Sequence, residues 1–216
     1  MSLNAPVPHG LYAITPEQED TATLCEQVSA AIAGGAVLVQ YRNKIAAPSR
    51  RREHADALLK LCRNNNVPLV INDDLELANA IKADGVHLGK DDKAIEHARA
   101  LLGNDAIIGA SCYSDIARAR AAEQAGASYL AFGAAFSSST KPGAQALDFN
   151  VLQQIREIST QPLAVIGGIT RQNLAKLKTY DIALVAVISD LFCDQEIETA
   201  ARQFNDLYQH YWRNHD

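Results

Sequence analysis

The amino-acid sequence predicts a (β/α)8 barrel, also called a TIM barrel, on three grounds. Eight short, near-continuous apolar runs recur along the chain, as expected for buried parallel strands. The segments between these runs have apolar side chains every three to four residues, which is the spacing of amphipathic helices. The whole alternation fits within 216 residues, whereas an open doubly wound sheet of this size usually has fewer strands.

The predicted strands are short and stop at polar residues or glycines. They comprise residues 11–15, 36–42, 68–73, 85–89, 106–111, 129–133, 162–168 and 183–189. The carboxyl ends of barrel strands meet at one rim, where such folds carry their chemistry. We therefore expect the polar residues at these strand ends to lie together, however far apart they are along the chain.

The helices are predicted from periodicity and from residues that end helices. In the first, apolar residues recur at Leu24, Val28, Ala31 and Ile32, and Gly34 ends the helix. Residues 116–125 repeat this pattern before another glycine. The last helix is predicted over residues 197–211, with an apolar side formed by Phe204, Leu207, Tyr208 and Tyr211.

Length and composition favour one domain over residues 1–216, with residues 1–10 as a short N-terminal extension, because no Pro/Gly/Ser-rich linker interrupts the chain. A formal net charge of -5 argues against a protein that grips nucleic acid through a broad basic surface. The four cysteines form no C-x-x-C pair, so neither a zinc site nor a disulfide framework is indicated. No signal peptide and no membrane-spanning stretch of about 20 apolar residues is present, so we expect a cytoplasmic protein without a membrane partner.

Two aspartates at neighbouring strand ends suggest a metal site. Asp73 closes the third strand, and Asp92 follows the fourth. Magnesium is commonly held by one or two carboxylates together with substrate phosphate oxygens and water. Aspartate near the start of a helix can also be a simple N-cap, the interpretation preferred for Asp74 and Asp91. The basic residues Arg42, Lys44 and Lys141, which could bind the phosphates of the same substrate, favour a metal site for Asp73 and Asp92.

Cations at other strand ends suggest a site for a diphosphate. Arg42 and Lys44 follow the second strand, and with Gln40 they would share one side of an extended backbone. Lys141 lies in a hydroxyl-rich segment, residues 137–143, suited to folding over a ligand. The alternative is that these are solvated lysines and a generic linker.

The pair Gly167 and Gly168 ends the seventh strand and is expected to begin a helix, so that bare N–H groups can approach a phosphate. Ile188 and Ser189 complete this site from the eighth strand, where barrels frequently bind phosphate. His87 lies within the fourth strand and is at least as well explained by packing as by catalysis.

Together these segments resemble the thiamine-phosphate synthase family, whose members join the pyrimidine and thiazole halves of vitamin B1. The resemblance covers nearly the whole chain. Its specific parts are Gln40-Tyr41-Arg42-Asn43-Lys44, Asn72-Asp73-Asp74, Gly85-Val86-His87-Leu88-Gly89, Ser138-Ser139-Thr140-Lys141 and Ile166-Gly167-Gly168-Ile169.

The resemblance implies the substrates, the metal and the site residues. Hydroxymethylpyrimidine diphosphate would be bound by Gln40, Tyr41, Arg42, Asn43, Lys44, Asn72, Ser111 and Lys141. The thiazole phosphate would be bound by Ser138, Ser139, Thr140, Gly168, Ile188 and Ser189. One Mg²⁺ per active site would be held by Asp73 and Asp92, and Arg42, Lys44, Ser111 and Lys141 would be the catalytic residues.

The chain departs from the family pattern at two places. Ser138 replaces the first threonine of the usual Thr-x-Thr-Lys segment, and its hydroxyl should preserve binding. The turn before the eighth strand, residues 179–183, differs from the usual glycine-containing turn, but it belongs to the opposite rim.

The implied reaction is a dissociative, Mg²⁺-assisted substitution in which diphosphate leaves the pyrimidine methylene and the thiazole nitrogen attacks. Two alternatives remain open from the sequence: a thiazole tautomerase-like isomerase of the same fold, and a non-catalytic relative that binds a thiazole phosphate. An isomerase has no need of Arg42, Lys44, Asp73 and Asp92 together, so the synthase is favoured. A homo-oligomer is left open.

Overall fold

The computed structural model describes residues 6–89, 92–137 and 146–213, without the side chains of residues 92 and 93. Eight parallel strands follow one another around a closed barrel in chain order. The strands are β1 (Gly10–Ile14), β2 (Ala36–Tyr41), β3 (Leu69–Asn72), β4 (Gly85–Leu88), β5 (Ile107–Tyr113), β6 (Tyr129–Phe132), β7 (Leu163–Ile166) and β8 (Leu184–Val187). The predicted barrel is confirmed, and each predicted strand overlaps an observed one.

Helices surround the barrel; the first six connect consecutive strands as far as β7, and the last two follow β8. They are α1 (Thr21–Ala33), α2 (Pro48–Asn64), α3 (Leu75–Ile81), α4 (Asp92–Leu102), α5 (Ile116–Gln124), α6 (Asn150–Ile158), α7 (Ser189–Phe192) and α8 (Ile197–Trp212). Asp20 begins α1 by accepting a hydrogen bond from the Thr23 backbone N–H, and Gly34 follows its end as predicted. None of the described helices is long and apolar enough to cross a membrane.

One predicted helix is absent. After β7 the chain makes turns and a short 3-10 helix, Leu174–Leu177, instead of an α-helix that begins at the glycine pair. The side chain of Asn173 accepts from the Thr170 backbone N–H and donates to the Gly168 carbonyl, so turn hydrogen bonds replace helical ones. The expectation of an α-helix start at Gly168 is therefore wrong.

The core has two layers. Side chains on the outer side of the strands pack against the helices and form the larger cluster, which includes Leu24, Val28, Phe204 and Tyr208. The smaller cluster fills the barrel itself and consists of Tyr12, Ile14, Leu38, Val70, Ile107, Tyr129, Ala131, Ala164, Leu184 and Ala186. The barrel is thus a packed core and not a pore, and ligands can approach only its rims.

Candidate active site

The carboxyl ends of β2 and β3 form an open groove of about 670 Å³. Its wall includes Asn43 and Lys44, which follow β2, and Asn72 and Asp73, which end β3. The groove also touches α2, α3 and α4 through Arg51, Leu75, Glu76 and His97. The structure therefore places on one groove a lysine and an aspartate that are 29 positions apart in the sequence.

The segment after β2 is built against the segment after β1. Thr15 Oγ1 accepts a hydrogen bond from the Arg42 backbone N–H at 2.9 Å and donates to the Arg42 carbonyl at 3.1 Å. Glu17 forms an ion pair with the Arg42 guanidinium at 3.0 Å, and its other oxygen accepts from the Lys44 backbone N–H at 2.9 Å. The Glu17 carboxylate thus links the Arg42 guanidinium to the backbone of Lys44.

The predicted alternation of Gln40, Arg42 and Lys44 along one extended edge does not persist. β2 ends at Tyr41, and Lys44 lies in a bend. The Asn43 side chain forms this bend: its amide donates to the Gln18 carbonyl, and its oxygen accepts from the backbone N–H groups of residues 45 and 46. Asn43 consequently shapes the loop with the atoms that were expected to contact the ligand.

Tyr41 lies on the outer side of β2, away from the barrel interior. Its ring meets His54 of α2 edge-on at 5.8 Å, and its hydroxyl lies 3.1 Å from His54 Nδ1. Burial raises the pKa of Tyr41 to about 12, so its hydroxyl is uncharged at neutral pH. The phenol is therefore engaged with the helix layer.

Asp73 adopts a left-handed backbone conformation, with φ of 60°, directly after β3. Strain of this kind in a residue other than glycine often accompanies a functional site. Asn72 Nδ2 donates to Asp73 Oδ2 at 2.8 Å, and the Asp73 backbone N–H donates to the His87 carbonyl at 2.9 Å. A Cβ atom built on Gly89 would lie 3.7 Å from Asp73 Oδ1, so the carboxylate stands beside the end of β4.

Asp92 begins α4, three residues after Gly89, and its side chain lies outside the described residues. Among the described side chains, no group of three or more His, Cys, Asp or Glu residues could hold a metal ion. Of the two aspartates predicted to bind a metal, the structure describes the carboxylate of Asp73 alone, beside the end of β4. Hard oxygen donors in this number suit Mg²⁺ completed by substrate and water oxygens.

Asp74 has a structural role distinct from that of its neighbour. Its side chain accepts from the Leu77 backbone N–H and caps α3, as predicted. It also pairs with Arg51 of α2 at 3.1 Å.

Gln40 of β2 and Ser111 of β5, both predicted to bind the pyrimidine diphosphate, lie near the carboxyl ends of their strands. Gln40 is buried, and its amide donates to the Tyr12 hydroxyl. Ser111 lies on β5 with its Oγ 2.9 Å from His87 Nε2. His87 is buried, and its Nδ1 lies 2.9 Å from the Tyr129 hydroxyl.

On the opposite side of the rim, Gly167 and Gly168 both have positive φ, of 103° and 61°. A Cβ atom on Gly167 would lie 2.7 Å from the Ala134 Cα, and one on Gly168 would collide with the Ser137 carbonyl. The glycines are therefore required by close packing of the segment after β6, in addition to any approach of a phosphate. Ser138, Ser139, Thr140 and Lys141 lie outside the described residues.

Arg171 ties the segment after β7 to α7. Its Nε and its backbone N–H both donate to Asp190 Oδ2 at 3.0 Å, and its Nη2 donates to Asp194 Oδ2 at 2.8 Å. A further donor reaches Gln203 of α8 at 2.8 Å. Arg171 thus links the loop that follows Gly168 to the helix that begins at Ser189, and both of these residues are predicted to bind phosphate.

Comparison with known proteins assigns the chain to a family. A family model described as thiamine monophosphate synthase matches residues 11–191. The chain belongs to the thiamine monophosphate synthase family. The match includes residues of all eight strands, so the family prediction, and with it the predicted synthase activity, is confirmed.

Relatives in this family are similar over almost their whole length. A thiamine-phosphate synthase of Methylobacillus flagellatus is 50% identical over 199 residues, covering 92% of this chain and 95% of the relative. One of Azoarcus sp. (strain BH72) is 47% identical over 199 residues, covering 92% and 97%. Among solved structures, thiamine phosphate pyrophosphorylase from Pyrococcus furiosus has a TM-score of 0.82 and 31% identity, covering 94% of this chain and 96% of that one.

For this family member, several site residues could not be found from sequence patterns. Glu17, Arg51 and Arg171 resemble ordinary surface charges in the sequence, and only the fold places them at the rim. Tyr12 and Tyr129 read as strand core, yet their hydroxyls meet inside the barrel.

Proposed function

We propose that this chain transfers the hydroxymethylpyrimidine group of 4-amino-2-methyl-5-(diphosphooxymethyl)pyrimidine to a thiazole phosphate, forming thiamine phosphate and releasing diphosphate. The observation that carries this proposal is the groove where Lys44 and Asp73 meet at the ends of β2 and β3. A cation and a metal-binding carboxylate on one wall suit a diphosphate, which a thiazole isomerase would not need.

The leaving group would be bound by the cations of this rim. Arg42 offers a guanidinium that can bind two phosphate oxygens, and Lys44 offers a point charge. Arg42 must exchange its partner Glu17 for the diphosphate. Lys141 is proposed as a third cation, on the strength of the family pattern.

Asp73 and Asp92 are the residues proposed to hold Mg²⁺, of which one ion is expected per site. A single described carboxylate beside the end of β4 agrees with the usual Mg²⁺ donor set of one or two carboxylates. When bound, the ion would neutralise charge on the diphosphate oxygens. The left-handed conformation of Asp73 holds its carboxylate at the rim while Asp74 caps α3.

The transfer requires no protein nucleophile. The bond between the pyrimidine methylene carbon and the diphosphate oxygen breaks, and its electron pair leaves with the diphosphate. The lone pair of the thiazole nitrogen then forms the new carbon–nitrogen bond. Arg42, Lys44 and Lys141 stabilise the charge that builds on the departing oxygen, which is what preorganised charges do best.

The thiazole phosphate is proposed to bind at the opposite side of the rim. Gly168, Ile188 and Ser189 supply that site from β7 and β8, and Ser138, Ser139 and Thr140 supply hydroxyls from the segment after β6. The Arg171 ion pairs support this proposal because they keep the two loops together. Fixing both substrates on one rim raises their effective concentration toward each other.

The test is a product assay with purified protein. Both heterocyclic substrates with Mg²⁺ should yield diphosphate and thiamine phosphate in equal amounts. An isomerase would convert the thiazole phosphate alone, and a binding protein would bind it without product. Either result contradicts the proposal. The single-domain organisation, the cytoplasmic location and the oligomeric state stay predictions.

A further inference from the structure

Five polar side chains form one hydrogen-bond chain across the inside of the barrel. Gln40 Nε2 donates to Tyr12 Oη, which lies 2.7 Å from Tyr129 Oη. Tyr129 Oη lies 2.9 Å from His87 Nδ1, and His87 Nε2 lies 2.9 Å from Ser111 Oγ. This interior hydrogen-bond chain connects two residues of the candidate pyrimidine site, Gln40 of β2 and Ser111 of β5.

The three central side chains of the interior hydrogen-bond chain are buried. Tyr12 is 1% exposed, Tyr129 0% and His87 9%. Buried polar groups cost free energy unless they are hydrogen-bonded, and apolar side chains of similar size would fill the space without needing partners. Packing alone therefore does not explain three polar side chains here.

The barrel wall leaves room for this arrangement at one point. The His87 and Tyr129 rings stack at 5.6 Å, and the Tyr12 and Tyr129 rings meet edge-on at 5.9 Å. A Cβ atom on Gly109 of β5 would collide with the Tyr129 hydroxyl and the His87 ring. Glycine at this position allows the phenol to reach the imidazole.

The chemistry of the five side chains determines which atom donates each hydrogen bond of the interior hydrogen-bond chain. Burial raises the pKa of Tyr12 and of Tyr129, so each phenol keeps its single hydrogen at neutral pH. In the observed orientation of the Gln40 amide, the Tyr12 hydroxyl accepts a hydrogen bond from Gln40 and donates one to the Tyr129 hydroxyl. Tyr129 then donates to His87 Nδ1, and His87 Nε2–H donates to Ser111 Oγ.

We propose that Tyr12, Tyr129 and His87 are positioning residues for the transfer reaction. They hold Gln40 and Ser111 in one orientation, with the Gln40 amide oxygen and the Ser111 hydroxyl hydrogen as the two ends that face the pyrimidine diphosphate. This role rests on the proposed function and adds three residues that never touch the substrate.

The test is the Tyr129→Phe variant, which removes the central hydroxyl and adds no atom. We expect the KM for the pyrimidine diphosphate to rise about tenfold, equivalent to ~1.4 kcal/mol or one buried hydrogen bond. The kcat should fall as well, because Ser111 loses its orientation. The KM for the thiazole phosphate should stay unchanged, because that substrate binds at the other side of the rim.

Tyr208→Phe is the matched control. The Tyr208 hydroxyl is also buried, but it donates to the carbonyls of Ile182 and Ala183 at the opposite rim, at 2.9 and 3.0 Å. This variant should lose stability and keep all three kinetic constants. The positioning role is wrong if Tyr129→Phe behaves like Tyr208→Phe.

Two further measurements separate the possible failures. In protein with ¹⁵N-labelled histidine, Tyr129→Phe should shift both His87 ring nitrogen resonances, whereas Tyr208→Phe should shift neither. Unchanged resonances in Tyr129→Phe would contradict the interior hydrogen-bond chain. This outcome holds even if the wild-type protein makes no thiamine phosphate. If Tyr129→Phe does not fold, Tyr12→Phe removes the hydrogen bonds of Tyr12 to Gln40 and Tyr129, leaves those of His87 in place, and should raise the same KM. An inactive wild-type protein refutes the proposed function, and an active one indifferent to these changes refutes only the positioning role.

Discussion

Asp73 and Asp74 are adjacent carboxylates with separate structural roles. Asp74 caps α3 and pairs with Arg51, whereas Asp73 turns toward the end of β4 in a left-handed conformation. Asparagine tolerates this conformation better than other non-glycine residues and has the same shape as aspartate. Removing the charge of Asp73 should therefore leave the fold intact.

Asp73→Asn should weaken Mg²⁺-dependent binding of the pyrimidine diphosphate by at least ~10-fold, because even groups behind metal ligands cost 10- to 100-fold when removed. Calorimetric titration with and without Mg²⁺ measures this change. Asp115→Asn is the control, because Asp115 only caps α5 and asparagine caps equally well. Equal affinities for the two variants would count against Asp73 as a metal ligand.

Glu17 holds the Arg42 guanidinium, one of the groups proposed to bind the diphosphate. It pairs with Arg42 and accepts from the Lys44 backbone N–H, so the substrate must displace it. Glutamine at this position can still accept the backbone hydrogen bond but no longer holds Arg42 by charge.

Glu17→Gln should lower the KM for the pyrimidine diphosphate two- to fivefold, because a partly exposed ion pair contributes ~0.5–1 kcal/mol. Steady-state kinetics at fixed thiazole phosphate provides the measurement. Glu198→Gln removes an exposed ion pair on α8 and should have no such effect. A raised KM for Glu17→Gln would mean that Glu17 orients Arg42 for the substrate instead of competing with it.

At the scale of elements, the loops after β7 and β8 are held by Arg171. Its contacts with Asp190 and Asp194 join the loop after β7 to the start of α7. A guanidinium that donates from Nε to one carboxylate and from Nη2 to another cannot be reproduced by an uncharged side chain.

Arg171→Gln should raise the KM for the thiazole phosphate three- to tenfold, the equivalent of ~0.7–1.4 kcal/mol, while the KM for the pyrimidine diphosphate stays unchanged. Varying each substrate in turn separates the two constants. Arg202→Gln, which breaks an exposed pair on α8, serves as the control. Equal changes in both KM values would point to general loosening of the barrel.

Elements were predictable from the sequence wherever local pattern determines them. The position of α1 follows from its apolar periodicity, with Asp20 before the helix and Gly34 after it. The 3-10 helix after β7 was missed because Asn173 completes turn hydrogen bonds that only the folded loop reveals. Gly34 shows a further limit: a Cβ atom there would lie 2.9 Å from the Arg202 backbone N and collide with the Glu198 carbonyl, so α8 also requires this glycine.

At the scale of the whole molecule, α8 packs across the junction between the last and first barrel elements. It contacts α1 and β1, and its large apolar side chain Phe204 is only 1% exposed. Loss of this side chain should affect the entire barrel, because the closed sheet has no free edge.

Phe204→Ala should lower the free energy of unfolding by ~3–5 kcal/mol, because a buried aromatic ring is replaced by a cavity. Leu207→Ala, on the partly buried side of the same helix, should cost less. Denaturant titration of both variants measures the difference. Similar losses would show that α8 is not anchored through Phe204.

The candidate site was predictable in location but only partly in detail. Barrel topology alone places Lys44 and Asp73 on one rim, since all strands point the same way. The contact between Tyr12 and Tyr129 joins residues 117 positions apart, and no local pattern indicates that two core phenols share a hydrogen bond. The pairing of Glu17 with Arg42 likewise depends on how two loops pack after the strands have closed.

The most direct test of the account is the position of a metal bound together with the pyrimidine diphosphate. Crystals containing Mn²⁺ and an unreactive analogue of this substrate would locate the ion by anomalous scattering. We predict one peak within coordination distance of the Asp73 and Asp92 carboxylates, with the diphosphate between it and Lys44. A peak away from Asp73, or a diphosphate bound at the opposite rim near Val37 and Pro68, would contradict the account.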